Sequence, residues 1–157
     1  METQSPWLDD DQQELWQALL TVVIALPAAL DRQLQRSAGI SNFEYGVLAR
    51  LAMAEDATMR LSDLARLCDS TQPRLSKLMD RFEARDWVAR RPDPGDGRYT
   101  LATLADAGRR KLTESAPDHV AQVKKLVFDP LTPTQRRHLG VALTRVAATV
   151  REELEGS

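Results

Sequence analysis

Hydrophobic positions recur along most of the chain with a helical period. Leu15, Leu19, Val22, Leu26, Leu30 and Leu34 step by threes and fours, one stripe of a long first helix. Trp16, Leu20, Val23 and Ile24 widen that stripe, so the helix needs cover from more than one side. Pro27 lacks an amide hydrogen and crowds the preceding turn, which predicts a kink rather than a stop; Ala38-Gly39 ends the helix. Ser41-Asn42-Phe43-Glu44 has the serine-to-glutamate spacing of a capping box, followed by the apolar run Tyr45, Val47, Leu48 and Leu51. A loop from Ala54 to Thr58 leads through Met59-Arg60-Leu61 to a short helix opened by Ser62-Asp63 and carrying Leu64, Ala65, Leu67 and Cys68. Asp69-Ser70-Thr71 is a turn, and Thr71 caps the next helix, with Pro73 tolerated in its first turn.

After Trp87 the period changes. Val88-Ala89-Arg90-Arg91 and Tyr99-Thr100-Leu101-Ala102-Thr103-Leu104 are strand-like runs on either side of Pro92-Asp93-Pro94-Gly95-Asp96-Gly97-Arg98, whose prolines and glycines predict a hairpin turn. Two long helices close the chain, one over 106–127 and one opened by Thr132-Pro133-Thr134-Gln135. The last carries the stripe Leu139, Leu143, Val146, Val150 and Leu154. The pattern predicts a mainly α chain with a small β-hairpin wing: a winged helix-turn-helix over 39–104, flanked by dimerisation helices over 1–38 and 105–157, in one continuous globular unit. Two terminal segments with seam-like stripes point to a homodimer, a two-fold pair being the commonest assembly.

The chain of 157 residues is long enough for one compact unit. Its single cysteine excludes an intrachain disulfide framework and any cysteine-rich zinc module. The acidic start lacks a basic segment leading into an apolar run, so no secretory signal is expected. The longest apolar stretch, Val22 to Leu30, is broken by Pro27 and falls short of the roughly 20 residues of a membrane span, which suggests a soluble, cytoplasmic protein. The net charge of −2 is not that of a general DNA coater, but its distribution is uneven. From Arg60 to Lys111 there are 12 Lys/Arg against 8 Asp/Glu, and elsewhere 9 against 15. A basic middle between acidic ends suits a central module that meets a polyanion.

Two constellations carry that reading. In the helix after Thr71, Leu75, Leu78, Met79 and Phe82 form the buried face. At roughly 100° per residue, Arg74, Lys77, Arg81 and Arg85 fall beside it within about 80° of arc, with Pro73 and Ser76 further out and Gln72 near the start. Arginine and lysine pair with guanine edges or phosphates, and a serine hydroxyl serves either, so Gln72, Pro73, Arg74, Ser76, Lys77 and Arg81 are candidate contacts in a major groove. Arg85, by contrast, reads as solvated and paired locally with acids such as Asp80 and Glu83. In the hairpin, Arg90 and Arg91 lead into the turn and Arg98 leaves it; an arginine on a protruding wing suits a narrow minor groove. Asp96 stands where it can hold the Arg98 guanidinium.

Residues 61–67 (Leu-Ser-Asp-Leu-Ala-Arg-Leu), the run from Arg74 to Val88 and the run from Arg91 to Gly108 resemble the MarR family of transcriptional regulators. The Asp96-Gly97-Arg98 wing tip and Leu104-x-x-x-Gly108 are its most specific features, and the resemblance spans nearly the whole chain. It implies a homodimeric repressor joined through its terminal helices, binding a near-palindromic operator in double-stranded DNA. It also implies a small-molecule effector, often an aromatic acid, that shifts the dimer away from DNA-competent spacing. Three positions depart from the family pattern: Asp86 where a glycine commonly ends the recognition helix, Ala105 in place of a threonine cap, and Pro73 where a small hydroxyl residue is common.

Trp16, Phe43 and Tyr45 are candidates to line an effector pocket between the first helix and the DNA lobe, with a core role as the alternative. Trp87 is expected to anchor the wing against the recognition helix. Cys68 reads as a small buried hydrophobe, a thiol switch being the other reading. His119 and His138 have no partners at metal-ligand spacing, and no phosphate loop, nucleophile elbow or paired carboxylates mark an enzyme; neither a catalytic site nor a cofactor is expected. The competing functional class is a winged-helix protein-interaction module that does not read DNA.

Overall fold

The computed structural model describes residues 6–156. Helix α1 runs over Asp10–Ala38. The Asp9 carboxylate accepts from the Gln12 amide while Gln12 reaches back to the Asp9 amide, so the first turn is closed. The helix continues through Pro27 and ends at Gly39, whose φ of 65° is the left-handed region that glycine enters without penalty. Lys111 donates to the Ala38 carbonyl at that end, a cation where the helix leaves unpaired carbonyls. Helix α2, Asn42–Met53, has the capping box read from its sequence: Ser41 and Glu44 exchange hydrogen bonds at 3.0 and 2.7 Å.

The segment before the short helix differs from expectation. Thr58–Arg60 forms a strand, β1, and helix α3, Leu61–Leu67, starts directly from it with Arg60 at the cap and no side-chain cap bond. Ser62 therefore lies inside α3. Strand pairing of the preceding residues fixes where the helix begins and overrides the serine's capping preference. Helix α4, Gln72–Glu83, is capped by Thr71 as expected. Strands β2, Val88–Pro92, and β3, Thr100–Leu104, form the hairpin. β3 is flanked on both sides, in the order β1-β3-β2, all antiparallel, with Thr58 opposite Thr103 and Val88 opposite Leu104. The facing hydroxyls of Thr58 and Thr103 are 2.8 Å apart.

One core serves this lobe: Val47, Leu48 and Leu51 of α2, Leu64 and Ala65 of α3, the α4 face Leu75, Leu78, Met79 and Phe82, and Val88, Ala102 and Leu104 of the sheet. Trp87 packs against it, its ring centroid 5.3 Å from that of Phe82. The following helix, α5, Asp106–Val123, approaches Trp87 at Gly108. A Cβ there would lie 2.2 Å from the Trp87 carbonyl oxygen, so the glycine is fixed by close backbone packing. α5 passes into a π-helical turn, Lys124–Phe128, and helix α6 follows over Pro133–Glu155, capped by Thr132 and Gln135. The chain clusters into two compact units, residues 1–119 and 120–157.

The terminal stripes are uncovered in the single chain. Leu15 is 70% and Ile24 71% exposed on α1; Leu143 is 46% and Val146 51% exposed on α6. By length and composition α1 also qualifies to cross a membrane, with a window of mean hydropathy 1.4. The qualifying window is longer than the Val22–Leu30 run because Leu15, Leu19 and Leu20 precede that run on the same helix.

Candidate nucleic-acid interface

The capped N-terminal half of α4 lies exposed: Gln72, Pro73, Arg74 and Lys77 face outward and Ser76 is half-buried, while Leu75 and Leu78 anchor the helix from below. The turn between α3 and α4 uses Asp69 at φ 48°, and α4 is terminated by Asp86 at φ 57°. Aspartate thus occupies the left-handed position where glycine was the expected residue, a conformation its short polar side chain tolerates.

Carboxylates in the lobe are consumed by partners that orient the reading elements. Arg90 of β2 donates to Glu83 through its amide at 3.0 Å and its Nε at 2.8 Å, and to Asp80 through Nη2 at 2.6 Å. Recognition helix and wing strand are thereby clamped to each other. The Arg90 hydrogen bonds hold the Glu83 carboxyl below its usual range despite some desolvation. The sequence pattern gives these acids to Arg85. Instead Arg81 pairs with Glu44 at 3.4 Å, and the Arg85 guanidinium lies over the Trp87 ring at 4.9 Å. The hairpin folds β2 back along α4 and delivers Arg90 to the acids first.

At the wing tip, Arg98 donates to both oxygens of Asp96, Nε to Oδ1 at 3.0 Å and Nη2 to Oδ2 at 2.7 Å, and stays highly exposed. The pair raises the Arg98 value and lowers that of Asp96. Asp93, only 9% exposed, takes both Nε and Nη2 of Arg60 on one oxygen at 2.6 Å and the Gly95 amide on the other at 2.8 Å. Arg60 was not among the sequence candidates, because a three-residue strand is too short to show a period. Among the described residues, Arg74, Lys77 and Arg91 pair with no carboxylate.

The three aromatic effector candidates are separated. Phe43 lies beneath Arg74, whose guanidinium is 4.3 Å from the ring centroid. Tyr45 stacks on His119 at 4.3 Å, with Gln33 3.4 Å from the imidazole Nδ1. Burial pushes the His119 value down and the Tyr45 value up. Trp16 is 15 residues before Asp31, about 22 Å along the helix axis from the point where Asp31 accepts the Asn42 amide. Phe43 lines a cleft of about 480 Å³, with Asp31, Arg74, Lys77 and Arg81 among its walls. Cys68 is half-buried at the end of α3, and desolvation raises its thiol more than nearby Arg50 lowers it.

Residues 38–98 match the MarR family. The chain is similar to Sco3205 of Streptomyces coelicolor, a MarR family transcriptional regulator whose crystal structure is a complex with DNA, at 38% identity over 92% of this chain and 94% of that one, with a TM-score of 0.85. It is similar also to AbsC, a MarR family transcriptional regulator of the same organism, at 32% identity over 94% and 99% of the two chains, with a TM-score of 0.86. BpsR of Bordetella bronchiseptica, whose DNA binding is regulated by 6-hydroxynicotinic acid, shares the fold at 22% identity over 85% and 98%, with a TM-score of 0.72. No curated protein sequence matches. A shared fold along almost the whole length, at more than 30% identity with two such proteins, places this chain in the MarR family of transcriptional regulators.

Proposed function

We propose that the protein is a homodimeric, ligand-responsive repressor of the cytoplasm that binds a near-palindromic operator through paired α4 helices and wings. The observation that carries this reading is the division of charge in the lobe: Asp80, Glu83, Asp93 and Asp96 are paired internally, while Arg74 and Lys77 pair with no carboxylate on an exposed, capped helix face. Gln72, Pro73, Arg74, Ser76, Lys77 and Arg81 form the major-groove set, and Arg91 and Arg98, oriented by Asp96, the wing set. The exposed stripes of α1 and α6 supply the dimer seam. The related DNA complex of Sco3205 supports the DNA reading.

A small aromatic acid is the effector class that fits the cleft beside α4. Its carboxylate would pair with Arg74, Lys77 or Arg81 and its ring would lie against Phe43, consuming the cations that DNA needs. The regulation of BpsR by 6-hydroxynicotinic acid supports the class. The test is fluorescence anisotropy on DNA from the protein's own promoter region, across a salt series. A reader of several phosphates loses affinity steeply with salt; a flat dependence would instead favour a protein-binding module. Adding 6-hydroxynicotinic acid should release the DNA.

A further inference from the structure

The wing tip is held from outside the hairpin by one residue. Arg60 comes from β1, 33 residues before Asp93, and places two guanidinium nitrogens on one oxygen of that buried carboxylate. The other oxygen takes the Gly95 amide, so Asp93 is saturated. The same guanidinium lies over the Tyr99 ring at 4.5 Å. Tyr99 in turn accepts from the Asp93 amide at 2.9 Å and donates its own amide to the Asp96 carbonyl at 3.0 Å. Asp96 grips Arg98. A continuous run of contacts therefore leads from the sheet of the lobe to the guanidinium at the tip.

We infer that Arg60, Asp93 and Tyr99 form a clamp that pre-sets the wing, making Arg60 and Asp93 positioning residues for the DNA contact of Arg98. The inference rests on the proposed wing reading and adds to it. Beyond Arg60, which pairs with Leu101, the hairpin has no third strand, and a two-stranded ribbon has little stability of its own. Its tip holds Pro94, Gly95 and Gly97, with exposed residues on most sides. Without an anchor its ordering would be charged to the binding step, which weakens association. The Arg60–Asp93 pair shifts that ordering into folding. The hydrogen bonds to the Gly95 amide and Arg60 hold Asp93 below the ordinary carboxylate range, so the clamp is closed at neutral pH.

Charge makes the test decisive. Were Arg60 merely a cation near DNA, Arg60→Met would weaken binding and Asp93→Asn, which removes a negative charge, would strengthen it. The clamp requires both to weaken it. Binding is measured by anisotropy on the tightest duplex of about 30 base pairs that the full-length protein selects from a randomised pool, long enough for two half-sites. Each substitution is expected to cost about three- to tenfold in affinity, the scale of about one side chain that must be ordered on binding. In the Arg98→Ala background the same substitutions should cost less than about twofold, since groups acting through one another do not add. Arg60→Lys, which keeps one donor, should restore part of the loss. Tighter binding by Asp93→Asn overturns the clamp, and so does an equal loss in both backgrounds, the signature of general destabilisation. If Arg98→Ala weakens binding while Arg60→Met and Asp93→Asn do not, the clamp alone is refuted. If Arg98→Ala has no effect, the wing reading fails and takes the clamp with it.

Discussion

The DNA-reading lobe and the terminal helices spend their hydrophobic residues in opposite ways. In the lobe, Leu48, Leu64, Met79 and Phe82 are fully enclosed by their own chain. On α1 and α6, Leu15, Val22, Ile24, Leu143, Val146 and Val150 lie about half exposed or more, although their spacing is as regular. On each helix taken by itself, a run of exposed apolar residues this long is the kind of surface that interaction sites present. The lobe buries its apolar residues within a single chain, whereas the stripes of α1 and α6 stay uncovered in it, which supports the proposed seam. Within the lobe, Asp80, Glu83, Asp93 and Asp96 are pinned in pairs that orient the reading elements.

Substitutions at the seam should give the largest effect. Leu143→Glu with Val146→Glu places two unpaired charges per chain in a two-fold interface, each costing about 3 kcal/mol or more if buried. Sedimentation equilibrium should then show monomers whose far-ultraviolet circular dichroism keeps the helical content of the parent protein. A dimer that survives would remove α6 from the seam. Phe82→Ala reverses the outcome: the lobe should lose about 3–5 kcal/mol in urea unfolding, through lost packing against Trp87 and the cavity left behind. If it cost no more than a surface change, the lobe core would be misassigned.

Gly108→Ala forces a methyl into the Trp87 carbonyl and should cost about 1–3 kcal/mol by shifting α5 from the wing base. Arg74→Ala and Lys77→Ala should leave unfolding unchanged. Each should weaken specific binding by about 1–3 kcal/mol if it reads a base, or weaken all sequences alike and flatten the salt slope if it meets phosphate. The smallest effect concerns pH. His119 has its folded value below the ordinary 6.5, so the unfolded chain takes the proton first. Stability should fall slightly as pH drops through 6.5 and level off below the folded value. His119→Phe should flatten that part of a melting-temperature profile.

Much of the fold was legible because the signals are local. Ser41 with Glu44, Thr71, and Thr132 with Gln135 announce helix starts, since a cap needs only residues three apart. The α4 stripe and the proline- and glycine-rich turn fix the recognition helix and the hairpin in the same way. β1 was not legible, because three residues carry no period and its reason to be extended is β3, more than 40 positions away. Ser62 shows the converse, a good capping residue overruled by that pairing. The partners of Asp80 and Glu83 were misjudged because helix proximity favoured Arg85, while the fold of the hairpin supplied Arg90.

The order of the helices and the hairpin, the exposed cations of α4 and the apolar stripes at both ends follow from the sequence alone, since they depend on spacing along one chain. Which acid meets which arginine depends on distances set only when β1, β3 and α4 come together. Arg60 on Asp93, Arg90 between Asp80 and Glu83, and the bare hydrogen of Gly108 against Trp87 belong to that second class. Ion pairs and close packing act over a few ångströms in space, and separation along the chain does not encode them.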